Sequence, residues 1–174
     1  MFEDLEKIVC VTSRKLCEKP LEKRLGELAK LGLRNVILRE KDLSEEEYIA
    51  LAKKIMPIPD IELTLHNFPN AARRLSINRI HLPLSMLTVE LCEEFETVGA
   101  SVHSVEEAHR AEQLGASYII AGHIFATDCK RDLPPRGLEF LDSVCRAVKI
   151  PVYAIGGITP ENLQAVLSTG AKGA

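Results

Sequence analysis

The 174-residue sequence has no basic run, no long apolar run and no paired-cysteine motif. Its 22 Lys and Arg are scattered among 25 Asp and Glu, giving a net charge of −3. Without a cationic stretch to neutralise phosphates, neither a nucleic-acid partner nor a membrane surface is expected. No apolar stretch approaches the roughly 20 residues that cross a bilayer. The start, MFEDLEKIVCV, places acids ahead of its apolar stretch and carries no cleavage-site pattern, so a signal peptide is not expected either. Cys10, Cys17, Cys92, Cys129 and Cys145 are odd in number and match neither CxxC nor zinc spacing. A reducing, cytoplasmic compartment follows as the expectation. Cys10 in an apolar run and Cys145 on a helix face read as small core residues. Also lacking are a dense carboxylate cluster suited to Mg²⁺ and an assembled catalytic triad.

What is present is one pattern, repeated. Short β-branched runs recur at KIVCVT (7–12), NVILR (35–39), IELTL (61–65), RIHL (79–82), TVGASV (97–102), SYIIAG (117–122) and PVYAI (151–155). Most lack polar alternation, as expected of parallel strands covered on both faces. Helical spacing lies between them, in Leu21, Leu25, Leu28 and Leu31, then Tyr48, Leu51, Ala52 and Ile55. It returns in Val105, Ala108, Ala111 and Leu114, and in Leu138, Leu141, Val144, Cys145 and Val148. Ser44 with Glu47 and Ser104 with Glu107 read as capping boxes, and Thr159-Pro160 as a cap with a first-turn proline. Gly32, Gly115 and Gly170 read as left-handed helix stops.

Alternating strand and helix predicts a parallel α/β fold in a single domain, 1–174. Periodicity alone allows a (β/α)₈ barrel or an open doubly wound sheet. The last repeat, LSTGAKGA, stops where another strand is due, so an eighth strand and helix are expected to be missing.

In such folds chemistry collects where strands end. His123 follows SYIIAG directly and opens a polar loop; a neutral imidazole there can accept and return a proton. The alternative is a histidine satisfied by a backbone carbonyl. His109 reads as surface, His81 as packed core, and His103 as shaping a turn, while His66 stays ambiguous. Gly156 and Gly157, in AIGGIT, let backbone amides approach an anion. Arg39 and Lys41, two apart, should point one way and could hold a carboxylate or phosphate, unless they merely pair with Glu40 and Asp42. Thr127 and Lys130 add a hydroxyl and an ammonium; Asn67 and Ser101 complete the candidate binding set. The residues taken by themselves describe a cytoplasmic α/β protein that binds a small phosphorylated ligand beside a histidine acid/base.

The stretches LREKDLSEEEYIALAKKI, SVHSVEEAHRAEQLGASYII, GHIFATDCK and IPVYAIGGITPENLQAVLSTGAKG resemble the thiamine phosphate synthase/TenI superfamily from Val11 onward. The resemblance implies a TIM barrel, lacking strand 8 and helix 8 here. It offers two activities. Synthases join a pyrimidine diphosphate to a thiazole phosphate with Mg²⁺. Where their motifs carry glutamine and two metal aspartates, this sequence has Ile37, Asn67 and Met86; where their loop carries proline, it has His123. Asparagine and methionine lack the anionic oxygens that Mg²⁺ prefers. These departures resemble the TenI branch, thiazole tautomerases that use no metal and whose acid/base histidine occupies the His123 position. The expectation is therefore a tautomerase acting on a thiazole carboxylate phosphate, with no cofactor and no metal. The synthase, with Mg²⁺, is the alternative, and a non-catalytic thiazole-phosphate binder the second. The expected partner is the small phosphorylated thiazole, with a homodimer allowed.

Overall fold

The computed structural model describes residues 5–127 and 133–174. Seven strands alternate with seven helices among them: β1 (Val9–Val11), α1 (Leu21–Lys30), β2 (Asn35–Leu38), α2 (Glu45–Ile55), β3 (Glu62–His66), α3 (Pro69–Leu75) and β4 (Arg79–Pro83). Then follow α4 (Val89–Glu94), β5 (Thr97–Val102), α5 (Val105–Gln113), β6 (Tyr118–Gly122), α6 (Gly137–Ala147), β7 (Val152–Ile155) and α7 (Leu163–Leu167). The chain forms two compact units, Met1–His81 and Leu82–Ala174.

In the first unit β1, β2, β3 and the start of β4 are parallel neighbours in chain order. Val36 pairs with Leu63 and Leu65 with Ile80, aligning the strand ends. In the second unit β5, β6 and β7 do the same, with Ala100 beside Ile119 and Ala121 beside Ala154. The α/β class and its parallel repeat are thus observed. Residues beyond α7 continue the pattern: Lys172 N–H donates to Val152 O at 2.8 Å and Ala154 N–H to Gly173 O at 3.0 Å, parallel to β7.

Burial follows the sequence. The inner strands show near-continuous burial, as in Val36, Ile37 and Leu38 or Ile119, Ile120 and Ala121. The first and last strands in the chain, β1 and β7, are only half covered. Helices contribute their apolar stripes, Leu21 and Leu25 from α1 and Leu141 and Val144 from α6. Each fully buried aliphatic side chain contributes ~1.5–3 kcal/mol. Cys10 and Cys145, expected in the core, are half-buried instead. Gly32, Gly115 and Gly170 stop their helices at φ of 108°, 95° and 91°, which a Cβ would resist.

Two short helices, α3 and α4, were not expected. One starts on Pro69; the other is capped by Thr88, whose Oγ1 accepts Leu91 N–H at 3.3 Å. Helix α7 begins at Leu163 with Asn162 as its cap, later than Thr159-Pro160 suggested. The Ser44 box forms: Ser44 Oγ accepts Glu47 N–H, and Glu47 returns by accepting Ser44 N–H at 2.9 Å. At Ser104 the box is displaced by one, since Glu107 instead accepts the N–H of His103. Ser44→Ala should lower stability by ~1 kcal/mol in urea unfolding. A change smaller than a few tenths would show that the box contributes little.

Candidate active site

In the first unit the ends of β1, β2 and β3 are tied together by side chains that complete what the strand ladder leaves open. Buried Tyr48 donates its hydroxyl to Leu38 O at 2.5 Å and accepts His66 N–H at 2.8 Å. Thr12 Oγ1 accepts Arg39 N–H at 2.9 Å and donates to Glu40 Oε1 at 2.7 Å. Burial raises the Tyr48 hydroxyl well above its ordinary pKa, which keeps it a proton donor.

The run Arg39-Glu40-Lys41-Asp42 sorts by charge. Glu40, buried, and Asp42, exposed, find their cations in Arg14 and Lys15. Hydrogen bonds from Arg14 and Lys15 hold the Asp42 carboxyl far below its usual range. The alternative of Arg39 and Lys41 pairing with these two acids is not what forms. The half-buried Arg39 and exposed Lys41 act on His66 instead. Burial, then Arg39, then Lys41 push the His66 imidazole down to about 4. His81 stacks on it with ring centres 5.8 Å apart and planes 19° apart. Burial, His66 and Arg39 push His81 down to about 3. His81 is thus the packed core group expected, and His66 joins it.

Asn67, next along, has a left-handed φ of 71° and donates its N–H to His81 O at 3.1 Å. Its Oδ1 is buried and accepts no hydrogen bond.

The second unit carries the other candidates. His123 lies one residue beyond β6 and is only 5% exposed. Its Nε2 is 3.2 Å from Leu133 O. A carbonyl only accepts, so that nitrogen carries the proton and the lone pair rests on Nδ1. This geometry matches the backbone-satisfied alternative. Exposed His103 donates from Nδ1 to Gly122 O at 2.9 Å, so it fixes the peptide leading into His123 as well as shaping its own turn. His109 is exposed on α5, as expected.

Gly156 and Gly157 sit at φ of 102° and 64°. Ile124 N–H donates to Ile155 O and Phe125 N–H to Gly156 O, both at 2.9 Å. A Cβ on Gly156 would run into the Cβ and Cα of His123, and one on Gly157 into Ala126 O and Phe125. These glycines therefore permit the β6 exit to lie directly on the β7 turn. Ser101 is half-buried in β5, opposite Ile120. Half-buried Thr127 ends the described stretch, and Lys130 lies outside the described residues. The structure thus groups Arg39, Lys41 and Asn67 around the His66 end of β3, and separately joins His123 to Gly156 and Gly157.

Residues 8–174 match the TMP-TENI family, described as thiamine monophosphate synthase. The chain belongs to that family. It is 36% identical to a thiamine-phosphate synthase of Clostridium acetobutylicum, over 96% of this chain and 83% of the relative. It is 33% identical to a putative thiamine-phosphate synthase 2 of Aquifex aeolicus, over 98% and 95%. Among solved structures, thiamine phosphate pyrophosphorylase from Pyrococcus furiosus superposes with a TM-score of 0.84 at 30% identity, over 98% and 84%. The superfamily expectation holds. The relatives' names favour the synthase alternative and do not single out the TenI branch.

Synthase chemistry implies Mg²⁺, and the two metal positions do not suit it. Asn67 presents a neutral amide oxygen, and Met86 a thioether on a side chain 38% exposed. Among the described residues no group of three or more His, Cys, Asp or Glu could hold a metal ion, and no helix is long and apolar enough to cross a membrane.

His66 and His81 take up protons only on unfolding between about pH 6.5 and about pH 4, so stability rises with pH in that window and falls on acidification. From pH 7 to pH 5 the loss should be about 2 kcal/mol per histidine. Urea unfolding at both pH values measures it, and His66→Gln should remove roughly half. Equal wild-type stability at the two pH values would rule out neutral burial of the pair.

Proposed function

We propose that this chain is a thiamine-phosphate synthase, joining a pyrimidine carried as its diphosphate to a thiazole phosphate with release of pyrophosphate. The observation that carries the reading is similarity along nearly the whole chain to proteins named for that activity, 36% identical in one case and superposable at a TM-score of 0.84 in another. The residues described above supply parts for it. Arg39 and Lys41, not neutralised by Glu40 or Asp42, hold the diphosphate and spread the charge that develops as it leaves. The Asn67 amide, its Oδ1 still unpartnered, orients a polar edge of the pyrimidine. The Gly156-Gly157 turn, with Ser101, Thr127 and Lys130, receives the thiazole phosphate. No step is assigned to a metal, because Asn67 and Met86 do not fit one.

A specific observation favours a second reading, the thiazole tautomerase. The metal positions are neutral, and a histidine stands at the site of the branch's acid/base group. With Nε2 donating to Leu133 O, the base would be His123 Nδ1, taking a proton from the ring carbon and returning it to the exocyclic carbon. Such a group commonly contributes ~10²–10⁴-fold. Either reading makes the substrate a phosphorylated thiazole in the cytoplasm, and a homodimer is compatible with both.

One pair of assays separates them. The chain is incubated with both synthase substrates, with and without Mg²⁺, and thiamine phosphate is followed by chromatography. In parallel, the thiazole carboxylate phosphate is followed by NMR. We expect thiamine phosphate at an enzymatic rate. Its absence, with aromatisation that His123→Ala reduces to background, transfers the assignment to the tautomerase. Tight binding with neither product leaves only the non-catalytic binder.

A further inference from the structure

We propose that Glu40 is a positioning residue for Arg39 and Lys41: its buried carboxylate, gripped by Thr12 and Arg14, turns the two cations toward the β3 side to meet the substrate's phosphate groups. The proposal rests on the reading of Arg39 and Lys41 given above and adds what makes that pair available.

A carboxylate placed between two cations in sequence is their nearest source of neutralisation. Here that pairing is opposed, because both oxygens of Glu40 are engaged elsewhere. Oε1 accepts the Thr12 hydroxyl at 2.7 Å and Arg14 N–H at 2.9 Å. Oε2 accepts Arg14 Nη1 at 3.0 Å. The same guanidinium reaches on to Asp42, with Nη1 at 2.6 Å and Nη2 at 2.8 Å, and Lys15 adds a contact at 2.9 Å. The two acids of the run therefore face the β1 exit. Leu38, the last residue of β2, pairs with Leu65 of β3, so Arg39 follows on beside His66, while Lys41 stands in the turn that comes next. Both cations lie near enough to His66 to help hold its imidazole below the ordinary range. Thr12 closes the device by accepting Arg39 N–H with the same oxygen that donates to Glu40.

Stability alone explains this arrangement poorly. A buried ion pair is often no better than a packed apolar contact, whereas directed charge requires a fixed carboxylate. Arg14 also removes the Glu40 charge from the field that an incoming anion meets. The sequence feature is thus an alternating run whose even members are anchored so that its odd members remain available.

The probe is inorganic pyrophosphate, titrated calorimetrically into the 174-residue chain. Stoichiometry counts folded sites and Kd reports their geometry, so a folding defect and a positioning defect separate. Glu40→Gln and Thr12→Val should each raise Kd about tenfold at unchanged stoichiometry, while Thr12→Ser, which keeps the hydroxyl, should bind as wild type. An unchanged Kd in both, or a fall in stoichiometry at constant Kd, overturns the positioning role. Arg39→Gln is the control for the underlying reading. If wild type fails to bind, or Arg39→Gln binds as wild type, that reading is wrong and the proposal falls with it. If Glu40→Gln fails to fold, the contrast between Thr12→Val and Thr12→Ser decides alone.

Discussion

When a parallel strand ends, its last N–H and C=O groups lose their ladder partners while still deep in the protein, and something must satisfy them. This constraint governs most of what is seen at the strand ends. Tyr48 serves Leu38 and His66, Thr12 serves Arg39, and His103 serves Gly122. The groups that could do chemistry stand beside these fastenings, so the same bonds that end the strands also set where reactive side chains lie. Polar residues at the ends of buried strands are therefore of two kinds, those that close the backbone and those that face outward from it.

That distinction helps explain what could be read from the amino-acid order. All seven strands were legible as short runs rich in β-branched or apolar residues, such as SYIIAG and NVILR. Four helices were legible from their apolar spacing. Helices α3 and α4 were not, because seven and six residues span less than two full turns and carry no periodic signal. The superfamily was legible from motifs spread along the chain. Its activity was harder to read, since Asn67, Met86 and His123 pointed to the tautomerase while the relatives are named as synthases.

The candidate site divides in the same way. The alternating charges of Arg39, Glu40, Lys41 and Asp42 were open to inspection, although β2 ends at Leu38 and the run turns at residues 41–42. Its anchoring by Arg14 was not, because that partner lies 26 residues away from Glu40. Tyr48 passed as an ordinary helix core position, since its hydroxyl partners lie 10 residues back and 18 ahead. His123 was legible as the residue that follows β6, but its partner Leu133 lies ten residues further on. Gly156 and Gly157 signalled a close approach correctly; the observed neighbour is the protein's own β6 exit.

Tyr48 has one further consequence. A single oxygen, carried on a helix, spans the gap between the carbonyl of one strand and the amide of the next, and its two bonds run in opposite senses. It works as a spacer of fixed length, so the separation of the β2 and β3 ends at this point is set from α2. A substitution on α2 that displaces Tyr48 would thereby alter that separation while leaving the sequence of both strands unchanged.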